Sequence, residues 1–292
     1  SGFSVSVQQV INGLILAGLV GVVIIGGIKR IGHVTGFLAP IMALIYVTAA
    51  SIILLMHLGD IGTSFGLIIE MAFNPPATIA GTGGGILLTM LWGIKRGLYS
   101  NEAGQGSAAI AHSTAKTKYP VREGAVAMLG PYIDTIVICT LTGLVIISTG
   151  AWHHTEFYKN AIDPYFTGEL LNSSLLTAFA FKTGLNSLFD YGDKIVTASV
   201  LLFAVSTAIS WSFYGDRSTE YLFGEKAINP YRWVFVLFVF LGAIASLEAV
   251  WAFGDAALGI MTFPNLISIL LLGNTLKTMT AEYFSGEHVP NR

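Results

Sequence analysis

Charge is scarce in this chain. Of 292 residues only 11% are Asp, Glu, Lys or Arg, while 53% are hydrophobic; a soluble domain carries about 25% charged residues. That shortage excludes a water-soluble globular fold, and the mean hydropathy of +0.70 points to an integral membrane protein. Cysteine is scarcer still. Cys139 stands alone, which rules out a disulfide framework and a thiolate metal site. The histidines show no ligand spacing, and His153 and His154 fall together in a polar loop. Short alternating segments, the mark of a membrane barrel, are also missing. The apolar runs are long and unbroken instead, so the fold class is all-α and polytopic. The sequence holds no HExxH and no Ser/His/Asp arrangement, so nothing marks an enzyme. The net charge of −2 gives no signal for nucleic acid.

What is present is a series of spans. Crossing the hydrocarbon core takes roughly 17–25 apolar residues. Runs of that kind cover residues 11–28, 37–56, 125–148, 195–213, 231–246 and 249–273, and an interrupted one covers 86–115. Charge distribution tests the count. With Lys29 and Arg30 in a cytoplasmic loop, alternation through seven crossings also makes Lys116, Lys118, Arg122, Arg217, Lys226, Arg232, Lys277 and Arg292 cytoplasmic. Only Lys159, Lys182 and Lys194 fall outside, within a long loop rich in Asp and Glu. The scheme fails unless residues 86–115 cross, which puts the polar insert GIKRGLYSNEAGQGSAAIA, residues 93–111, inside the bilayer. It also puts the C-terminus in the cytoplasm. Residues 62–73 read as an amphipathic surface helix, and 166–190 as an outer cap with a helix over 170–181.

Backbone inside a bilayer must satisfy its own N–H and C=O groups, so an interruption is tolerated only where protein or a wet cavity surrounds it. Gly97, Gly104 and Gly106 permit the dihedrals of a break. The spacing predicts one half-helix ending near Tyr99 and another beginning near residues 103–107. The first presents carbonyls suited to a cation and the second N–H groups suited to an anion, an arrangement common at the midplane of secondary transporters. Asn101 and Glu102 strengthen the reading, because ionisable groups at that depth are expensive. For Glu102 an ion pair with Arg96 or Lys95 competes with a role as proton relay. Gly81 to Gly85 read as a flexible lead into the next helix. Asp134 reads as an N-terminal carboxylate after Gly130-Pro131, and Asp255 as the mark of a break beside Gly254. A second constellation lies in LLFAVSTAISWSFYGD, residues 201–216. There the Ser206 and Thr207 hydroxyls and the Phe203 carbonyl could hold a hard cation such as Na⁺, or the hydroxyls could bond back to their own helix. Trp211, one turn past Thr207 on the same face, is either a pocket wall or an interfacial anchor.

Three stretches carry a likeness to a known family: IKRGLYSNEAGQGSAAIAHSTAKTKYPVREG, GPYIDTIVICTLTGLV and STAISWSFYGDR. In order, and over nearly the whole chain, they resemble the sodium:alanine (alanine or glycine:cation) symporter family. The resemblance implies a LeuT-type fold with ten core helices in two inverted repeats, of which this chain holds helices four to ten. It implies Tyr99, Ser100, Asn101, Gly104 and Trp211 around a small amino acid, with Trp211 limiting side-chain size. It also implies that Phe203, Ser206 and Thr207 form half of a Na⁺ site. The first three core helices have no counterpart here; together with the odd count of crossings and the start at Ser1, this makes a C-terminal portion of a carrier the expectation. A monomer in the cell (inner) membrane is expected, with no nucleic-acid partner. A proton-coupled carrier using Glu102 or Asp134 is the near alternative; a membrane enzyme and a seven-helix receptor are remote ones.

Overall fold

A computed structural model describes residues 6–76, 81–163, 165 and 167–285. Every regular element described there is helical: α1 (Val7–Ile24), α2 (Ile28–Met56), α3 (Leu58–Phe73), α4 (Gly81–Ser100), α5 (Ser107–His112), α6 (Pro120–Ala127), α7 (Leu129–Pro131), α8 (Thr140–Ser148), α9 (Glu156–Ala161), α10 (Ser173–Leu185), α11 (Gly192–Phe223), α12 (Ile228–Ile244) and α13 (Leu247–Phe284). A π-helical stretch, Tyr132–Cys139, joins α7 to α8. Local chemistry explains several starts. The Ser6 Oγ accepts the Gln9 N–H at 3.1 Å while the Gln9 side chain accepts the Ser6 N–H at 2.9 Å, a reciprocal capping box. Ser246 caps α13 by accepting the Ala249 N–H.

Six stretches among the described residues are long and apolar enough to cross a membrane: Val7–Ile24, Arg30–Met56, Pro120–Ser148, Gly192–Phe223, Glu225–Ile244 and Leu247–Phe284. With such spans the chain is a multi-pass helical membrane protein. Side-chain exposure agrees. On α13, Phe253, Phe263 and Leu270 are 77%, 70% and 80% exposed, a surface that lipid accepts and water does not. The stretch over 86–115 does not qualify on composition, because its glycines and the Lys95-Arg96 pair interrupt the apolar run.

Several local expectations are corrected. Lys29 and Arg30 lie in the first turn of α2, not in a loop, since Gly27 at φ 82° turns the chain within three residues, 25–27, of the end of α1. Gly81 to Gly85 are helical, in the first turns of α4. Asp134 does not begin a helix; it sits in the π-helical stretch, where the wide turn absorbs Pro131 without a break. Asp255 is interior to the uninterrupted α13. The outer-cap helix runs from Ser173 to Leu185, later than expected, because Asn172 is still extended.

The chain divides into two compact units. The first comprises residues up to Thr35, Ser100–Tyr132 and Thr207 onward. Within it α1 packs on α12 through a stripe of small residues. Gly13, Ala17 and Gly21 are buried; Gly13 sits against Phe240 and Ala243, and Gly21 against Val236, so the two helices run antiparallel. Small residues let helix backbones approach closely where lipid supplies no hydrophobic drive for association. α11 is tied to α12 by charge. Asp216, 1% exposed, accepts from two Arg232 donors: Nη2 bonds Oδ2 at 2.6 Å, and Nε is shared between Oδ1 and Oδ2 at 3.1 Å each. One position before Asp216, Gly215 lies so close to Tyr231 that a Cβ would collide with its hydroxyl and ring.

The second unit comprises Gly36–Tyr99 and Ile133–Ser206. Its core gathers Ala50 and Ile53 of α2, Val145 of α8, and Phe181 and Leu185 of α10. Tyr46 reinforces it, with its hydroxyl 2.7 Å from Thr142 Oγ1 and its ring 5.0 Å from that of Phe181.

Breaking the Asp216–Arg232 pair leaves one buried charge uncompensated, which costs about 3–5 kcal/mol. Arg232→Met is therefore expected to lower the melting midpoint in detergent sharply, and Asp216→Leu added to it to recover most of the loss. Gly215→Ala is expected to lower the same midpoint by overpacking, a cost of about 1–3 kcal/mol.

Candidate functional site

The helical run stops and restarts around Gly104 and Gly106. α4 ends at Ser100, α5 begins at Ser107, and between them the chain makes a non-helical connector, residues 101–106. Three residues in it take left-handed backbone: Glu102 at φ 51°, Gly104 at 75° and Gly106 at 86°. Glycine adopts this region freely, whereas a residue with a Cβ such as Glu102 pays about 1–2 kcal/mol. Gly97, expected to share in the break, is helical within α4. α5 is only six residues long, so the field at its N-terminus is weaker than that of a full helix.

A side chain of the first unit holds the connector. Asn265 of α13, next to Pro264, donates its Nδ2–H to the Gly104 carbonyl at 2.9 Å. Gly106 lies against the same asparagine, where a Cβ would come within 3.2 Å of it. Across the connector, the Glu102 carboxylate accepts the Ser107 hydroxyl at 2.6 Å. Ser107 is fully buried and Gln105 nearly so, so the connector is packed against protein at these side chains.

The anticipated residues distribute as follows. Ser100 and Asn101 stand where α4 gives way to the connector, and Gly104 lies within it, its carbonyl engaged by Asn265. Trp211 is partly buried and meets Tyr214 edge-to-face, ring centroids 5.6 Å apart. In the second unit, Tyr99 occupies the last turn of α4, and Lys95 Nζ and Arg96 Cζ lie 5.1 and 5.3 Å from the ring centre of Trp92. Ser206 donates to the Phe203 carbonyl at 3.0 Å, which is the bond-back arrangement weighed from the sequence; it also sets two oxygens side by side. Thr207 follows in the same helix.

Sequence reasoning missed Asn265 and Tyr214. A polar residue directly after a proline inside an apolar run was a signal for the first. Tyr214 stands three residues past Trp211, hence on the same helical face, which could have pointed to the second. A cavity of about 190 Å³ in the first unit has Thr35, Thr114, Ser210 and Tyr214 on its wall. Outside the spans, the His153 ring packs on Trp152 and Tyr158, and burial together with neighbouring His154 lowers its pKa from the usual value. Among the described residues, no group of three or more His, Cys, Asp or Glu side chains is placed to hold a metal.

Comparison with known proteins gives this geometry a context. The chain is 43% identical over 277 residues to the sodium/alanine symporter AgcS of Methanococcus maripaludis, covering 95% of this chain and 57% of that protein. It is 31% identical to the sodium/proton-dependent alanine carrier protein of Bacillus sp. strain PS3, covering 91% and 59%, and 29% identical to the probable sodium/glutamine symporter GlnT of Bacillus subtilis, covering 93% and 53%. The chain therefore spans a little over half the length of these relatives. The model of the sodium:alanine symporter family matches residues 2–289, and the chain belongs to that family.

Proposed function

We propose that the carrier containing this chain takes up a small neutral amino acid, alanine or glycine, in symport with Na⁺ by alternating access. The observation that carries the reading is the connector over residues 101–106, non-helical backbone fixed by buried polar groups in a chain built of membrane spans. Under this proposal residues 86–115 are a seventh crossing, the fold is LeuT-type, and the chain supplies core helices four to ten with its C-terminus in the cytoplasm. Tyr99, Ser100, Asn101 and Gly104 line the substrate site at the break, and Trp211 walls it off beyond a methyl-sized side chain. Phe203, Ser206 and Thr207 give oxygen ligands to Na⁺. The hard cation matches that donor set, and the 3.0 Å separation of the Ser206 hydroxyl from the Phe203 carbonyl supports a shared role once the hydroxyl turns its lone pairs to the ion. The remaining ligands, for Na⁺ and for the substrate carboxylate, come from helices of the carrier outside this chain. The carrier works as a monomer, and transport of this kind needs no nucleophile or acid–base pair.

A proton-coupled mechanism is the second reading. Relatives named as sodium/proton-dependent alanine carriers favour it, and so does a carboxylate, Glu102, at the break. Replacing Na⁺ by choline at fixed pH separates the two. In proteoliposomes of the intact carrier, alanine uptake is expected to require Na⁺, and Trp211→Ala to raise the KM for alanine by about tenfold, the equivalent of roughly 1.4 kcal/mol of lost contact. Uptake driven by a pH gradient and indifferent to Na⁺ would instead assign coupling to Glu102 or Asp134.

A further inference from the structure

An asparagine inside an apolar membrane helix is costly unless its amide finds a partner. Hydroxyls on α13 find theirs in their own helix: Thr262 donates to the Leu258 carbonyl at 2.8 Å, Ser268 to Pro264 at 3.0 Å and Thr278 to Asn274 at 3.1 Å. Asn265 reaches out instead, to the Gly104 carbonyl at 2.9 Å. Its carboxamide has little room to turn away, because a Cβ on Gly106 would come within 3.2 Å of its Cγ and Oδ1. The same turn of α13 completes the seat. Methyl carbons of Thr262 and Leu266 lie 3.9 and 3.6 Å from the point a Gly104 Cβ would occupy, and residues 262, 265 and 266 share one helical face by their spacing. The following peptide N–H, that of Gln105, donates to the Glu102 carbonyl at 3.3 Å. A peptide unit is planar, so bonds at both its carbonyl and its N–H fix its orientation. Gly104 at φ 75° and Gly106 at φ 86° have no side chains to restrict the backbone, and a tie from outside the connector keeps it in one conformation.

We propose that Asn265 is a positioning residue for amino-acid binding: by holding the Gly104 carbonyl it sets the orientation of the connector backbone that meets the solute. This rests on the symporter reading above, under which Gly104 lines the substrate site. Asn265 itself touches neither the amino acid nor Na⁺. Connector backbone meets the α-ammonium and α-carboxylate that all amino acids share, whereas a wall such as Trp211 meets the side chain that differs. The ligand class that depends on Asn265 is therefore α-amino acids through their charged ends, with no preference among side chains. Backbone already fixed loses no freedom when the solute binds, which is how preorganisation raises affinity.

The test uses Asn265→Leu, which keeps the size and removes the donor, in proteoliposomes of the intact carrier. Both kcat and KM are measured for alanine and for glycine under one Na⁺ gradient, with Ser268→Ala, whose hydroxyl bonds its own helix, as the control. Loss of one hydrogen bond of this kind is expected to raise KM about three- to tenfold, by the same factor for both solutes, with kcat held within about twofold. Half-saturating Na⁺, read at saturating solute, is expected to stay where it was, and the control to keep the original KM. If Asn265→Leu does not fold, Asn265→Ala decides by the same readout. An unchanged KM with less active carrier would overturn the proposal, since a purely structural role alters the amount of carrier and not its affinity. A rise in KM for alanine but not for glycine would also overturn it, making Asn265 a wall against the side chain. So would a shift in half-saturating Na⁺ with both KM values intact, which would assign Asn265 to the ion. If the unmodified carrier takes up neither solute with Na⁺, the symporter reading fails in its choice of solute, and the same KM comparison with the amino acid it does take up decides for Asn265.

Discussion

Backbone hydrogen bonding is the constraint on which the rest of this structure depends. Hydrocarbon supplies no partners for N–H and C=O groups, so a chain with so little charge can exist in a bilayer only as helices, and each departure from helix must be covered by protein. The connector over residues 101–106 is a departure from helix between α4 and α5, and Asn265 of the first unit reaches it. Asn265 takes a carbonyl, Ser107 takes the carboxylate, and two glycines carry the dihedrals that L-residues resist. Opening backbone here frees dipoles that a charged solute can use, which a continuous helix would keep to itself.

The scaffold around the connector is economical in the same physical sense. Where lipid and side chain are equally apolar, association comes from close contact and from polar pairs. α1 and α12 meet through Gly13, Ala17 and Gly21, and α11 joins α12 through a buried ion pair at Asp216 and Arg232. Such a pair contributes little net stability once desolvation is counted, but it fixes register, since a slip of one residue would strand both charges. Fixed register matters on α11, because the helix that bears Asp216 also bears Trp211 and Tyr214.

Much of this was legible in the sequence. Length and hydropathy give the spans, and the glycines with Asn101 and Glu102 give the break to within a residue or two of where α4 ends and α5 begins. Less legible were features decided by tertiary partners. Gly130-Pro131 reads as a helix start, yet a π-helical turn carries the chain through it; Gly254-Asp255 reads as a break, yet α13 runs on. Asn265 is far from the connector in sequence, and no local pattern says which distant polar residue reaches a freed carbonyl. Ser206 is the case where spacing alone leaves two readings, because one hydroxyl beside one carbonyl serves a hydrogen bond or a cation with nearly the same geometry.

The most direct measurement is solvent access at the connector. In a Cys139→Ser background of the intact carrier, cysteines placed singly at Ser100, Asn101 and Ala103 would be challenged with a membrane-impermeant maleimide, with and without Na⁺ plus alanine. A connector that lines a wet, solute-binding cavity inside the membrane gives labelling at these positions that Na⁺ and alanine together suppress. Labelling that neither solute alters, as for a loop lying on the membrane surface, would contradict it.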